Sequence, residues 1–189
     1  PNGTSQFMTN ISADQRILVK QEPVAYVELE QSDLAPFLKE VEDKADLDYK
    51  HQENRFDDFK QQYLLPYRLS RQGPALAVAD INNDGLDDVF LGGAKGFEGQ
   101  IYVQTAQGTF APQRTSLFEK KHEDTQAIFF HANDDNYIDL FVCSGGYERG
   151  REDDFFQDRL FINQAGKGFE QVELPRINTS TSAVSAGDM

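Results

Sequence analysis

Tryptophan is absent from this chain, and cysteine and methionine are scarce, with one and two residues among 189. The lone cysteine, Cys143, excludes an intrachain disulfide, and its apolar setting, LFVCSGG, predicts a small buried hydrophobe. No apolar run approaches the ~20 residues of a membrane-spanning helix, and no signal peptide is recognisable. We therefore predict no membrane insertion. Because residue 1 is proline, we expect the chain to be part of a longer protein.

Positive charge is also in short supply, with 18 Lys and Arg against 32 Asp and Glu, a net charge of −14. Nucleic acids and anionic membrane surfaces require a basic face, so we do not expect them as partners. An acidic surface suits cations and cationic partners, although most acidic surfaces only aid solubility. The 15 Phe and 7 Tyr residues favour strands, and 39% hydrophobic residues are enough for a core.

The chain repeats itself. The stretch ALAVADINNDGLDDVFLGGA (75–94) aligns with QAIFFHANDDNYIDLFVCSGG (126–146), and GQIYVQTAQGTF (99–110) aligns with DRLFINQAGKGF (158–169). A third copy begins at 183–188. Each copy predicts four short strands in about 50 residues, as in a propeller blade. The predicted fold class is therefore all-β, a partial β-propeller.

The first 70 residues do not repeat. We predict strands at 16–21 and 24–30 and the start of a short helix within 32–47. Residues 51–74 mix aromatic and polar side chains, and we expect an extended connection that packs its Phe and Leu residues onto the first repeat.

The polar stretch DINNDGLDD, residues 80–88, interrupts the first repeat between two apolar runs. Its pattern is that of the first nine positions of a calcium loop, in which short oxygen-bearing side chains alternate around a glycine. Three carboxylates this close repel one another unless a cation lies between them. The predicted ligands are Asp80, Asn82, Asp84, the carbonyl of Leu86, and Asp88. Gly85 permits the reversal of the chain. The alternative is an Asx-rich hairpin turn.

The second repeat has a degraded version of this loop. The predicted oxygen ligands that remain are Asn133, Asp135, Tyr137 through its carbonyl, and Asp139. Position 1 is His131, and imidazole is a poor calcium ligand. Weak occupancy by calcium, another cation, and an empty turn held by hydrogen bonds all fit this sequence.

No catalytic constellation stands out, and we predict no enzyme activity. The histidines are scattered without the partners of a zinc site. The second repeat carries an inserted charged loop, YERGREDDFFQD (147–158), on which binding is a hypothesis. The candidate contact residues are Tyr147, Arg149, Arg151, Phe155 and Phe156.

DINNDGLDD resembles the core motif of the FG-GAP/VCBS repeat, the calcium-loop blade also found in integrin α-subunit propellers. The resemblance implies a β-propeller, commonly seven-bladed, with calcium held by the residues named above in the first loop. In the second loop only Asn133, Asp135 and Asp139 match the family ligands. Residues 1–21 resemble the tail of an ASPIC/UnbV domain, and the lead-in resembles large VCBS-repeat proteins of the Bacteroidetes kind.

These observations predict five segments: 1–22 as the tail of an ASPIC/UnbV-like domain, 23–74 as lead-in, 75–125 and 126–181 as repeats, and 182–189 as the start of a third repeat. The expected function is a calcium-stabilised binding or adhesion module for a protein or glycan, in a secreted, surface or periplasmic protein. The alternative is part of a polysaccharide-degrading enzyme. Uncovered sheet edges predict self-association of the fragment.

Overall fold

The computed structural model describes Thr9, Arg16 and residues 45–187, apart from 69, 72, 114, 116, 119, 147–153 and 177–178. The chain divides into two compact units, 1–39 and 40–189, and every element described below lies in the second. The strands predicted at 16–21 and 24–30 and the helix predicted within 32–47 lie almost entirely outside the described residues. Among the described residues, no helix is long and apolar enough to span a bilayer.

Two four-stranded antiparallel sheets make up the fold of the described residues. In the first, the sheet order follows the chain order, with strands β1 (Leu76–Ala79), β2 (Asp88–Leu91), β3 (Gln100–Gln104) and β4 (Phe110–Gln113). The second sheet has the same order, with β5 (Asp124–Phe130), β6 (Asp139–Ser144), β7 (Arg159–Asn163) and β8 (Phe169–Val172). Two 3₁₀ turns, Asp58–Lys60 and Asp154–Phe156, are the helical elements among the described residues. This architecture confirms the predicted all-β fold and is consistent with blades of a partial β-propeller.

The two sheets share one core. Strand β1 lies against β5, so the first strands of the two sheets are neighbours. Phe118, from the connection between the sheets, is wedged between Phe90 of β2 and Phe161 of β7, with ring centroids 5.0 Å away on either side. All three rings are buried. This aromatic stack fixes one sheet against the other.

Side-chain hydrogen bonds hold the connection before β1. Ser70 donates its hydroxyl and its backbone N–H to the buried carboxylate of Asp58, and the Tyr49 hydroxyl donates to the carbonyl of Gly92. We expected this segment to pack its Phe and Leu residues onto the first repeat, but Phe59 and Leu64 are 36% and 97% exposed. The hydrogen bonds of Asp58 hold the segment without burying them.

Candidate metal-binding loops

The loop joining β1 to β2 curls its first polar side chains around its own backbone. One Asp80 carboxylate oxygen accepts from the N–H of Asp84 (3.1 Å) and the other from that of Gly85 (2.8 Å). The amide oxygen of Asn82 also accepts from the N–H of Asp84 (3.0 Å). Two side-chain oxygens therefore converge on a single backbone nitrogen. Positive φ angles at Asn83 (62°) and Gly85 (84°) reverse the chain here.

Asp84, like Asp80, accepts hydrogen bonds from groups within the loop. One of its carboxylate oxygens accepts from the N–H of Leu86 (2.9 Å), and the other accepts from the side-chain amide of Asn82 (3.0 Å). Asp84 is exposed, whereas Asn82 is half-buried. The Asp84 carboxylate is thus exposed to solvent, at the end of the sheet where β1 stops and β2 begins.

Asp88 differs from the other loop acids because it is completely buried. Its two carboxylate oxygens accept from the N–H of Gln104 at the end of β3 (2.8 Å) and of Ile81 in the loop (3.1 Å). In the second sheet, Asp139 accepts in the same way from the N–H groups of Asn163 and Ala132, both at 2.8 Å.

Each of these two acids therefore ties three backbone segments together without a metal. The loop pattern predicted Asp88 and Asp139 only as metal ligands, and this structural role was missed. The sequence did contain a signal for this structural role. The second loop has Asp139 although its position 1 is His131, a poor calcium ligand.

The pKa values of Asp88 and Asp80 are shifted in opposite directions. Burial raises the pKa of Asp88 against the effect of its two amide hydrogen bonds, and the nearby charges of Asp84 and Asp80 raise it further. For Asp80, desolvation also acts to raise the pKa, but backbone amides donated by residues 82–85 outweigh it and the pKa is lowered. The repulsion expected among the three carboxylates therefore contributes to the raised pKa of Asp88.

The donors of the first loop suit calcium by their chemistry, since all are carboxylate, amide or carbonyl oxygens. Each carboxylate oxygen that accepts one N–H retains further acceptor capacity. The carboxylates are nevertheless turned toward backbone amides. Within the part of the chain that the structure describes, no group of three or more acidic, histidine or cysteine side chains is arranged to hold a metal ion. The loop has a suitable donor set, and its carboxylates would have to converge further to enclose an ion.

In the second loop a hydrogen bond joins two positions that face the metal in a calcium loop. Nδ1 of His131, at position 1, donates to the carbonyl of Tyr137, at position 7 (3.0 Å). Asn133 and Asp135 keep the local pattern of the first loop, accepting from the N–H groups of Asp135 (3.0 Å) and Tyr137 (2.8 Å). The turn is closed by the imidazole itself.

The first loop also contacts the second repeat directly. The side-chain amide of Asn83 donates to the carbonyl of Asn136 in the second loop (3.1 Å), and that of Asn163 donates to the carbonyl of Ile81 (2.7 Å). Gly166 lies so close to Asn82 that an added Cβ would be 3.1 Å from its Cα. The first loop is therefore part of the boundary between the two sheets.

The inserted loop is described only at its end, and Tyr147, Arg149 and Arg151 lie outside the described residues. Phe155 is half-buried beneath the ammonium of Lys95 (5.5 Å to the ring centroid), and its carbonyl accepts from His122 (3.1 Å). Phe156 is 7% exposed and packs inside the protein, so its ring does not present a contact surface.

Residues 72–103 match a protein-family model described as the FG-GAP repeat. The matched segment holds β1, the first loop, β2 and nearly all of β3, so the family motif coincides with the part of the first sheet that carries the oxygen donors. The match supports an FG-GAP repeat protein and a propeller module. A search of curated proteins finds no match to the chain.

Proposed function

We propose that this chain is a calcium-stabilised binding or adhesion module of a larger extracellular, surface or periplasmic protein. The observation that carries the proposal is the oxygen-only donor set of the first loop, which lies inside the FG-GAP repeat. Calcium would be held by Asp80, Asn82, Asp84, the carbonyl of Leu86, and Asp88. The ion supplies the positive charge that offsets the repulsion among the three carboxylates.

The expected role of calcium is structural. The first loop joins β1 to β2 and reaches the second repeat through Ile81 and Asn83, so fixing the loop also fixes the boundary between the sheets. An ion that binds only the folded state at 100 times its dissociation constant adds about 2.7 kcal/mol to the free energy of unfolding.

We propose that the second loop works without metal. The hydrogen bond from His131 to the Tyr137 carbonyl uses one oxygen that a bound ion would need, and position 1 carries no carboxylate. The two repeats would then have equivalent turns, one closed by calcium and one by imidazole.

Isothermal titration with calcium of the chelator-stripped protein tests the proposal. We expect one site per chain, lost in Asp84→Ala and kept in Asp87→Asn, which removes the same charge from an exposed neighbour outside the donor pattern. Equal titration curves for the two variants would refute the assignment.

Two further parts of the proposal concern the longer protein. We propose that this module follows an ASPIC/UnbV-like domain in an exported protein, and the resemblance of residues 1–21 to the tail of such a domain supports this. Leu76 and Val78 on β1 are 59% and 52% exposed, which supports association of the isolated chain with a further blade or with a second copy.

A further inference from the structure

A cavity of about 320 Å³ lies beside β7 and the end of β8, within the size range of small-ligand sites. Its walls include both buried and exposed charged side chains. In a protein of net charge −14 this lining is unusual, because cations outnumber acids within it. The charged or titratable lining residues are Lys121, His122, Asp158, Arg159, Glu173 and Arg176.

Arg159 is the central feature of this lining. Its side chain is 2% exposed, and its Nη2 donates to the carboxylate of Asp124. The guanidinium lies 5.9 Å from the centroid of the Phe161 ring. Nε and Nη1 are buried and have no hydrogen-bond partner among the described residues. Leaving such donors unpaired is costly, and more so for a charged group.

The acids around Arg159 are already engaged. The second carboxylate oxygen of Asp124 accepts from the N–H of Gly93 (2.9 Å). Asp158 accepts from the N–H of Ser144 (2.8 Å) and from the hydroxyl of Thr181 (2.9 Å). Among the described residues, Nε and Nη1 of Arg159 are thus left for a further acceptor, such as a ligand oxygen.

The first repeat shows that the fold does not need a cation here. Gln100 occupies the position of Arg159, and its side-chain amide donates to the carbonyls of Ile101 and Gln113, both at 2.8 Å. The polar group is satisfied within its own sheet. The arginine, with its unpaired donors, is specific to the second repeat.

We propose that this cavity binds the oxyanion group of a ligand, a carboxylate, sulfate or phosphate, with Arg159 as its principal donor and Lys121 and Arg176 as supporting cations. Arginine is well suited to such groups because its planar donors match their oxygens. The inference deepens the proposed binding role by naming the chemical class of the ligand.

The test is a titration of the intact chain, followed by amide chemical shifts and calorimetry, with sodium sulfate, inorganic phosphate and glucuronate against sodium chloride at equal ionic strength. We expect saturable binding of at least one oxyanion, with the largest shifts in residues 157–159 and 171–176. Sulfate or phosphate alone would indicate a tetrahedral group, and glucuronate alone a carboxylate. Absence of saturable binding by all three would overturn the proposal.

Matched variants locate the site. Arg176→Gln and Lys121→Gln change exposed residues and should each weaken binding about 3- to 5-fold. Arg159→Gln installs the residue of the first repeat and should weaken it about tenfold or more. Lys167→Gln removes the same charge from the exposed turn between β7 and β8 and should leave binding unchanged. If Arg159→Gln does not fold, the affinities of Arg176→Gln and Lys121→Gln still test whether oxyanions bind in this cavity.

Unchanged affinity in Arg176→Gln and Lys121→Gln would contradict the assignment. The titrations are run both with calcium and with chelator. A failure of the calcium proposal would appear as absent calcium binding, independently of any oxyanion binding measured in chelator.

Discussion

Asp88 and Asp139 occupy the same place in the two sheets and make the same pair of hydrogen bonds, each to the loop that precedes its strand and to the end of the third strand. Both are fully buried. A carboxylate in this position offers acceptors only, which is what two converging backbone N–H groups require. The repeat thus contains a structural acid whether or not its loop binds a metal.

Asp139→Asn should destabilise the protein by about 2 kcal/mol, because the new side-chain NH₂ faces a backbone N–H and leaves a buried donor unsatisfied. The effect should be the same with calcium and with chelator, as measured by urea denaturation. Asp135→Asn, an exposed change in the same loop, should stay within about 0.5 kcal/mol of the parent. Equal stability of Asp139→Asn and the parent would contradict this role.

His131→Asp should create a second calcium site. The change supplies the missing carboxylate at position 1 and releases the Tyr137 carbonyl from its hydrogen bond. Calorimetry should show the stoichiometry rise by one ion per chain. His131→Ala releases the carbonyl without supplying a ligand and should bind no additional calcium. A stoichiometry unchanged in His131→Asp would show that other features of the second loop prevent binding.

Phe118→Ala should remove the wedge between the sheets and destabilise the protein by about 3–5 kcal/mol, since it deletes a buried ring that contacts Phe90 and Phe161. Tyr63→Ala, which removes an exposed ring, should change the free energy of unfolding by no more than about 0.5 kcal/mol. Chemical denaturation measures both. A loss below about 1 kcal/mol for Phe118→Ala would mean that the sheets do not depend on this stack.

Cys143 should be unreactive in the native protein. Burial raises the pKa of its thiol to about 12, and the charge of Asp158 adds to this effect, so almost no thiolate is present at pH 8. A thiol reagent at that pH should label the protein only in denaturant. Rapid labelling under native conditions would show that β6 is accessible and that the second sheet opens readily.

The sequence was informative about the strands and less so about what holds them. Aligning the two repeats placed Tyr102 against Phe161 and predicted four strands per copy, because alternation and turn residues are local signals. The wedge formed by Phe118 could not be foreseen, since it comes from a connection with no periodic pattern. Oxygen spacing predicted the ligands of the first loop, but the buried bonds of Asp88 depend on a strand 16 residues away in the chain.

Leu64 shows a case in which the sequence prediction was wrong, because it was expected to pack onto the first repeat and is 97% exposed. Its apolar character predicted packing, but the segment is held by the hydrogen bonds between Ser70 and the carboxylate of Asp58. The pattern of hydrophobic residues does not predict a hydrogen bond between two residues that are 12 positions apart in the sequence.

The central claim is that a divalent ion closes the first loop, and the most direct measurement is the melting temperature of the chain in calcium and in chelator, with Asp84→Ala and Asp87→Asn measured alongside. We predict that calcium raises the melting temperature of the parent and of Asp87→Asn by several degrees, as about 2–3 kcal/mol of binding energy implies. Asp84→Ala should melt at the same temperature in both conditions. Coincident melting curves of the parent in calcium and in chelator would contradict the account.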